Sequence, residues 1–336
     1  MIDIIHVDET ERLAAKLARI RERNVALDAE LMSRVAAIIQ DVRLRGDAAL
    51  IEYNARFDGC EMTAAELRVS EDTLRDAAAH VEGQVLGALR EAIGRVRFFH
   101  ESERQSSWEV ETESGVRIGQ RITPIERAGL YVPGGLASYP SSVVMNVVPA
   151  QVAGVSRIVV VTPPRTIGES PAVAAALVEL GVTEVYAVGG AQAIAALAFG
   201  TETLPRVDKI TGPGNRYVAA AKKLVFGVVG IESIAGPSEV VIIADDTARA
   251  SFVASDLLAQ AEHSEDASSI LITTSRKLAS EVVADVASQA RKLRRVDVFN
   301  KSLQNYGVIV VVDGIDEACA LASSLAPEHL EIQARD

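Results

Sequence analysis

The sequence is poor in aromatic residues and in cysteine, and both shortages exclude classes of protein. Aromatics make up 4% of the 336 residues, so the 49% hydrophobic fraction consists mainly of alanine, valine, leucine and isoleucine. These are the residues of buried parallel strands and of the helices that cover them. The two cysteines, Cys60 and Cys319, are too few for a disulfide framework or a thiolate zinc cluster.

Positive charge is also scarce. Lysine and arginine number 34 against 46 acidic residues, a formal net charge of −12, and the isoelectric point is near 5.0. A general nucleic-acid binder needs a basic face, so we expect no nucleic-acid partner, although a local anion site is compatible with this balance. Apolar runs stay below the roughly 18 residues of a membrane helix, and acidic residues near the start argue against a secretory signal. We expect a soluble, cytoplasmic protein of about two domains without a membrane partner.

The hydrophobic pattern changes along the chain. Residues 1 to about 110 have mostly helical spacing, whereas short β-rich runs alternate with alanine-rich helical runs from Arg117 onward. Strands are predicted at residues 129–132, 157–162, 184–188, 208–211, 239–244, 269–273, 308–312 and 330–333. Helices are predicted at residues 141–153, 171–180, 191–199, 215–226, 248–262, 276–293 and 317–325. This alternation predicts an α/β fold with parallel sheets, whose ligands bind at the carboxyl ends of the strands.

Two common nucleotide motifs, G-x-G-x-x-G and G-x-x-x-x-G-K-[ST], are absent. Glycine loops instead follow three predicted strands: Pro133–Gly135, Gly189–Gly190 and Gly212–Asn215. Backbone N–H groups in such loops can bind a phosphate beside a helix N-terminus, and Asn215 is well placed as an N-cap. Each loop alone is explained by a tight turn. Together they favour one shared ligand that is anionic or nucleotide-like.

Two polar pairs near predicted helix or strand ends could carry chemistry. Gln260 and His263 are three residues apart on one helix face, within reach of one metal ion. The alternative is a histidine stabilised by the helix C-terminus. Glu328 and His329 could form an acid/base pair or a solvated loop pair. The remaining histidines and both cysteines lack clustered partners and are interpreted as surface or packing residues.

Several long segments carry a family resemblance. They include GLYVPGGLASYPSSVVMNVVPAQVAGV from Gly129, TGPGNRYVAAAKKLVFG from Thr211, ASDLLAQAEHSEDASS from Ala254 and LAPEHLEIQ from Leu325. Together they resemble the histidinol dehydrogenase family, from about residue 20 to the last residue. The resemblance implies a zinc- and NAD-dependent homodimer that oxidises L-histidinol to L-histidine through L-histidinaldehyde. Two alternatives are a paralogue that oxidises another small alcohol and a catalytically silent chain that binds a nucleotide or a partner.

The resemblance also implies roles for individual residues. Tyr131, Gln192 and Asn215 match NAD contacts, and Ser238 matches a substrate contact. Gln260 and His263 match zinc ligands that also contact the substrate. Glu328 and His329 match the catalytic pair, and His329 also contacts the substrate.

The family fold implied here has two incomplete Rossmann-like domains and a helical N-terminal arm. Its boundaries fall at residues 1–24 for the arm, 25–126 with 237–336 for the first domain, and 127–236 for the second, NAD-binding domain. Family members continue for about a hundred residues beyond the position matching Asp336, and that segment carries the other two zinc ligands. We call a chain with this additional segment the extended chain. The C-terminal tail domain is thus expected to be missing here, and zinc binding to be weak.

Overall fold

The computed structural model describes residues 2–23, 29–134, 139–234, 236–293 and 295–335. Two compact units divide the chain. Unit 1 combines residues 1–26 with 235–336, and unit 2 contains residues 27–234. Each unit has its own largely parallel sheet, so the predicted α/β fold class is confirmed.

Strands and helices alternate over most of the chain, as the hydrophobic pattern predicts. The strands are β1 (Asp3–His6), β2 (Arg68–Val69), β3 (Trp108–Glu111), β4 (Arg117–Gln120), β5 (Arg127–Tyr131), β6 (Arg157–Thr162), β7 (Glu184–Ala187), β8 (Lys209–Thr211), β9 (Gly230–Ile231), β10 (Glu239–Ala244), β11 (Ser268–Thr273), β12 (Gly307–Val311) and β13 (His329–Gln333). The helices are α1 (Thr10–Glu22), α2 (Ala29–Arg45), α3 (Asp47–Tyr53), α4 (Glu71–Ala78), α5 (Gly83–Ser102), α6 (Pro140–Val152), α7 (Thr166–Glu169), α8 (Pro171–Glu179), α9 (Gly190–Phe199), α10 (Arg216–Val225), α11 (Ala250–Ala261), α12 (Arg276–Ala290), α13 (Val296–Tyr306) and α14 (Ile315–Leu325). A π-helical turn (Asn54–Asp58) follows α3.

The sheet of unit 1 has the strand order β1-β12-β11-β10-β13, and every neighbouring pair is parallel. Successive residues of its central strand β10 enter two different cores. Val240 and Ile242 pack with residues of α11 and α12, whereas Val241 and Ile243 pack with residues of α1. Burial on both faces explains why this strand is a continuous apolar run in the sequence.

The sheet of unit 2 has the order β2-β7-β6-β5-β8-β9, with only β2 antiparallel to its neighbour. From β5, the strands β6 and β7 follow on one side, whereas β8 and β9 follow on the other. The point between β5 and β8 is therefore a topological switch point. Open α/β sheets bind ligands in the crevice at such a point. The corresponding point in unit 1 lies between β10 and β13.

The N-terminal third of the chain does not follow the expected domain boundaries. Residues 29–126 belong to unit 2, because Val35, Ile39 and Val42 of α2 share a core with α9 and α10. Helices α4 and α5 pack in a second core with α6 and α8. The expected grouping of 25–126 with 237–336 is therefore not the one that the structure shows. Shared burial decides the grouping, and short-range pattern does not reveal it.

The expected helical arm at residues 1–24 is also different in the structure. It begins with β1, which forms an edge of the unit 1 sheet in register Asp3 with Val308. Leu13, Leu17 and Ile20 of α1 are buried against the same sheet. These residues are thus an integral part of unit 1.

Some further elements were not predicted from the sequence. Strands β3 and β4 form an antiparallel hairpin, and helix α13 precedes β12. Within the described ranges, no helix is both long enough and apolar enough to cross a membrane.

Candidate functional site

A cavity of about 610 Å³ lies in unit 2 at the carboxyl ends of its strands. Tyr131, Gln192 and Asn215 all line it, although they lie in three different places: at the end of β5, in the first turn of α9 and at the N-cap of α10. Gly134 and Gly190 contribute backbone to the same wall, whereas Gly135 of the first predicted loop lies outside the described residues. The structure therefore brings the three predicted glycine loops to one cavity at the switch point.

Tyr131 joins two of these loops. Its side chain is buried, and its hydroxyl accepts a hydrogen bond of 3.1 Å from the backbone N–H of Gly190. Burial raises the pKa of Tyr131 to about 12, so the phenol stays neutral near neutral pH. Gly190 has a φ of +63°, a conformation that favours glycine. The phenol thus holds the start of α9 at the end of β5.

The third loop is held at both ends. The Asn215 side chain accepts hydrogen bonds from the backbone N–H groups of Tyr217 and Val218, at 3.0 and 3.2 Å, which confirms the predicted N-cap. Gly212 has a φ of +117°, and a Cβ there would lie 2.1 Å from the carbonyl oxygen of Tyr131. Only glycine allows the backbone of this loop to approach β5 so closely.

An ion pair between the buried Lys222 and the exposed Glu232 supports the same loop, and the sequence pattern does not predict it. Lys222 Nζ lies 2.6 Å from Glu232 Oε1 and donates to the carbonyl of Gly212. Glu232 in turn accepts a hydrogen bond of 2.9 Å from the Gly212 N–H. The two charged residues thus satisfy both backbone groups of Gly212.

Replacing Tyr131 with phenylalanine should lower the stability of the chain, because the phenol hydroxyl supports the wall of this cavity. The Gly190 N–H would lose its acceptor, which costs about 1–2 kcal/mol of unfolding free energy. Urea unfolding measures this loss. Tyr186→Phe is the matched control, because this buried tyrosine has no hydrogen bond to its hydroxyl in the described part of the chain. Equal losses in both variants would contradict a specific role for the Tyr131 hydroxyl.

A second cavity, of about 520 Å³, lies in unit 1 and contains the other polar residues singled out in the sequence. Gln260 at the end of α11 lines it together with Glu328 and His329 at the start of β13. The His329 Nε2 atom lies 3.9 Å from Glu328 Oε1, and both side chains are more than half exposed. Both can therefore reach a bound molecule and water.

This second cavity is at the amino edge of its sheet, whereas the sequence pattern predicts ligand sites at the carboxyl ends. His329 opens β13 opposite Val240, the second residue of β10. Helix α11 returns the chain from the end of β10 toward the start of β11, which brings its last turn to the amino edge. The carboxyl-end rule holds for the cavity of unit 2.

The other two predicted contact residues of unit 1 are His263 and Ser238. His263 is exposed in the turn after α11, and its backbone N–H donates to the Gln260 carbonyl at 3.2 Å. Ser238 immediately precedes β10, and its carbonyl accepts from Arg23 Nη1 at 3.3 Å. Neither residue lines the second cavity as Gln260 does. The buried Arg23 guanidinium also pairs with Glu239, so it holds the start of β10 in place.

A carboxylate pair in the wall of this cavity was not predicted. Gln333 donates hydrogen bonds to Asp256 at 2.8 Å and to Glu331 at 3.3 Å. Burial raises the pKa of the Glu331 carboxyl, and the charge of Asp256 raises it further. The strand pattern of β13 indicates part of this arrangement, because alternation puts His329, Glu331 and Gln333 on one face of the strand.

The raised pKa gives stability a definite pH dependence. Between the unfolded pKa of Glu331, near 4.5, and its higher folded value, the folded state binds more protons, so stability falls as pH rises. Glu331→Gln should therefore raise the melting temperature at about pH 8 and leave it close to the parent value at about pH 4. Asp256→Asn should give a smaller rise, because the burial of Glu331 remains, and the double variant should melt close to Glu331→Gln alone. A variant that melts below the parent at about pH 8 would contradict the repulsion.

The zinc ion that the resemblance implies would need several donor side chains from this chain. Structural and catalytic zinc sites use at least three nitrogen, oxygen or sulfur ligands from the protein. Among the described residues, no three His, Cys, Asp or Glu side chains converge to hold a metal. Gln260 and His263 therefore do not fit a complete zinc site by themselves.

His6, His80, His100 and both cysteines are not among the residues that line the two cavities. His80 lies in the turn after α4 and contacts the carbonyl of Asp76, and His100 lies 2.6 Å from Glu103. Cys60 and Cys319 are both free.

The fold and the two cavities define an α/β enzyme with a switch-point cavity in one unit and a histidine–carboxylate cavity in the other. Residues 21–336 match the protein family described as "Histidinol dehydrogenase". The chain belongs to the histidinol dehydrogenase family, which confirms the resemblance carried by its sequence segments.

Individual relatives agree with this assignment. The chain is 53% identical over 299 residues to the histidinol dehydrogenase of Geobacillus kaustophilus, covering 89% of this chain and 70% of the relative. It is 50% identical over 319 residues to that of Geobacter sulfurreducens, covering 95% and 74%. The crystal structure of histidinol dehydrogenase from Elizabethkingia anophelis superposes with a TM-score of 0.91 at 37% identity, covering 98% of this chain and 75% of that one.

Proposed function

We propose that the chain carries the nucleotide-binding unit and the catalytic pair of an enzyme that oxidises L-histidinol to L-histidine. The reaction passes through L-histidinaldehyde, uses two NAD⁺ in succession and forms the last steps of histidine biosynthesis. The observation that carries this proposal is the meeting of Gln260, Glu328 and His329 in one cavity, in a chain that belongs to this family.

His329 is the base of the first oxidation. As the alcohol carbon loses a hydride, its hydroxyl loses a proton, and an imidazole accepts a proton readily near neutral pH. The exposed His329 ring at the start of β13 can reach a hydroxyl bound in the cavity. NAD⁺, when bound, accepts the hydride. The products of this step are the aldehyde, NADH and one proton.

Glu328 acts mainly in the second oxidation. The aldehyde must first add water to become a hydrate, and a carboxylate beside the base can take a proton from that water. Loss of a second hydride from the hydrate then yields the carboxylate product. Glu328 is exposed next to His329, so water can reach it in the cavity.

Glu328→Gln should therefore slow the conversion of histidinaldehyde more than the oxidation of histidinol. Single-turnover kinetics of the extended chain with each substrate measure the two steps separately. Glu331→Gln changes a carboxyl of the same cavity and should leave the ratio of the two rates unchanged. If Glu328→Gln slows both steps equally, the residue does not activate water.

The cavity of unit 2 fits NAD as the cofactor. It lies at a switch point, two glycines bring backbone into its wall, and Tyr131, Gln192 and Asn215 surround it. These three residues would hold NAD there. Gln260 and His263 would contribute two contacts to a zinc ion and to the substrate, but they do not complete a zinc site in this chain.

The proposal also includes the oligomeric state and the cellular location. A homodimer is supported by exposed apolar side chains on the β3–β4 hairpin, among them Trp108, Val110 and Ile118, since such surfaces mark association sites. A cytoplasmic location is supported by the two free cysteines, which suit a reducing compartment.

The extended chain provides the test of this activity. It should form two NADH per histidinol consumed and release histidine, whereas other small primary alcohols should give little NADH. Faster NADH formation with another alcohol would identify a paralogue. Tight NADH binding without any turnover would identify the silent nucleotide-binding chain.

A further inference from the structure

Two arginines line the cavity of unit 2 without a role in the function proposed so far. Arg34 belongs to α2 and Arg56 to the π-helical turn after α3. Each guanidinium lies near an aromatic ring: Arg34 Cζ is 5.7 Å from the ring centre of Tyr217, and Arg56 Cζ is 5.3 Å from that of Phe57. Such contacts orient a guanidinium without neutralising its charge.

Neither arginine has an acidic partner in the described part of the chain. Arg45 on the same helix as Arg34 is different, because it pairs with Asp41 at 2.6 Å and with Glu52 at 2.8 Å. Of the residues that line the cavity, Asp58 is the one acid, and burial raises the pKa of its carboxyl. The cavity wall therefore carries an excess of positive charge on a strongly acidic protein.

The rest of the wall suits the other parts of a nucleotide. Tyr53 and Phe57 are stacked with ring centres 5.4 Å apart and offer an aromatic surface. Gly134 and Gly190 bring backbone close to the space between the loops. An apolar aromatic surface beside two unpaired guanidinium groups is a chemical match for a nucleoside diphosphate.

We infer that Arg34 and Arg56 bind the diphosphate of the dinucleotide and make the cavity select nucleoside diphosphates over nucleosides. This inference rests on the proposed function, because it takes the cavity of unit 2 as the NAD site. Arginine binds phosphate oxygens through its planar set of N–H donors, and the aromatic contacts hold each guanidinium in one orientation.

The test measures the affinities of ADP-ribose and adenosine for the 336-residue chain by titration calorimetry. The parent should bind ADP-ribose more tightly than adenosine. Arg34→Gln and Arg56→Gln should each weaken ADP-ribose binding about tenfold, as expected for one charged hydrogen bond. Adenosine affinity should change less than about twofold, and the salt dependence of ADP-ribose binding should decrease in both variants.

Arg43→Gln is the matched control. Arg43 lies on the same helix α2, and its guanidinium carbon is 4.5 Å from the ring centre of Phe199, but it does not line the cavity. Its replacement should leave ADP-ribose affinity unchanged. Arg34→Lys and Arg56→Lys keep the charge and should recover part of the affinity, which separates charge from a folding defect.

The outcomes distinguish the inference from the proposed function. If the parent binds ADP-ribose and NADH but the Arg34 and Arg56 variants bind as the Arg43 variant does, the inference fails and the NAD site stands. Equal losses for ADP-ribose and adenosine would also overturn the inference, since the arginines would then only shape the cavity. If the parent binds neither ADP-ribose nor NADH, both the NAD site and the inference fail.

Discussion

Replacing His329 with alanine is expected to lower the rate of histidinol oxidation by the extended chain about 10²- to 10⁴-fold, the usual effect of losing a positioned general base. The imidazole is exposed at the first residue of β13, where the backbone remains paired with β10 after the change. Folding should therefore survive. Steady-state NADH formation and the melting temperature measure the two properties.

His100→Ala is the control for this variant. His100 lies on α5 in unit 2 and contacts only Glu103 among the polar groups of the described residues. Its replacement should leave turnover near the parent value. A His329→Ala enzyme that keeps more than half of the parent turnover would remove His329 from the role of base.

The second large effect concerns zinc. The 336-residue chain is expected to bind zinc at least about a thousandfold more weakly than the extended chain, because a zinc site loses much of its free energy with each missing ligand. Gln260 and His263 are two donors, and the described residues offer no cluster of three His, Cys, Asp or Glu side chains. Histidinol turnover by the 336-residue chain should be negligible.

Metal analysis after dialysis and an NADH assay, run on both chains side by side, test this expectation. The melting temperatures of the two chains add a further comparison. Leu330 and Ile332 of the edge strand β13 are 50% and 68% exposed, and covering them in the extended chain should raise stability. One tightly bound zinc per 336-residue chain, with normal turnover, would show that the metal site implied by the family resemblance is wrong.

Much of the fold could be predicted from short stretches of sequence. Arg157–Thr162 and Glu239–Ala244 were predicted with the bounds that the structure shows. Both are runs of branched apolar residues flanked by helical patterns, and burial on both faces leaves little ambiguity in such runs. The Asn215 cap was equally clear, because an asparagine after a glycine turn and before a helical run has one favourable use.

Elements held by distant contacts were harder to predict. Strand β1 is short and lies next to β12, about three hundred positions away, so nothing near Asp3 indicates its pairing. The Lys222–Glu232 contact is likewise invisible as a pattern, and alternation along β13 places Glu331 on one face without showing that Asp256 lies beside it. Only the fold brings these side chains together.

The sequence by itself determined the alternation of strands and helices from β5 onward, apart from β9, α7 and α13, and the three glycine loops of unit 2. The contacts that decide these features lie within a few residues of each other, so a local pattern is enough. Only the tertiary structure decided which helices share a core with which sheet. It also placed β13 beside β10, which brings His329 to the end of α11 and therefore to Gln260. That neighbourhood depends on burial between segments far apart in the chain, and local spacing carries no information about such burial.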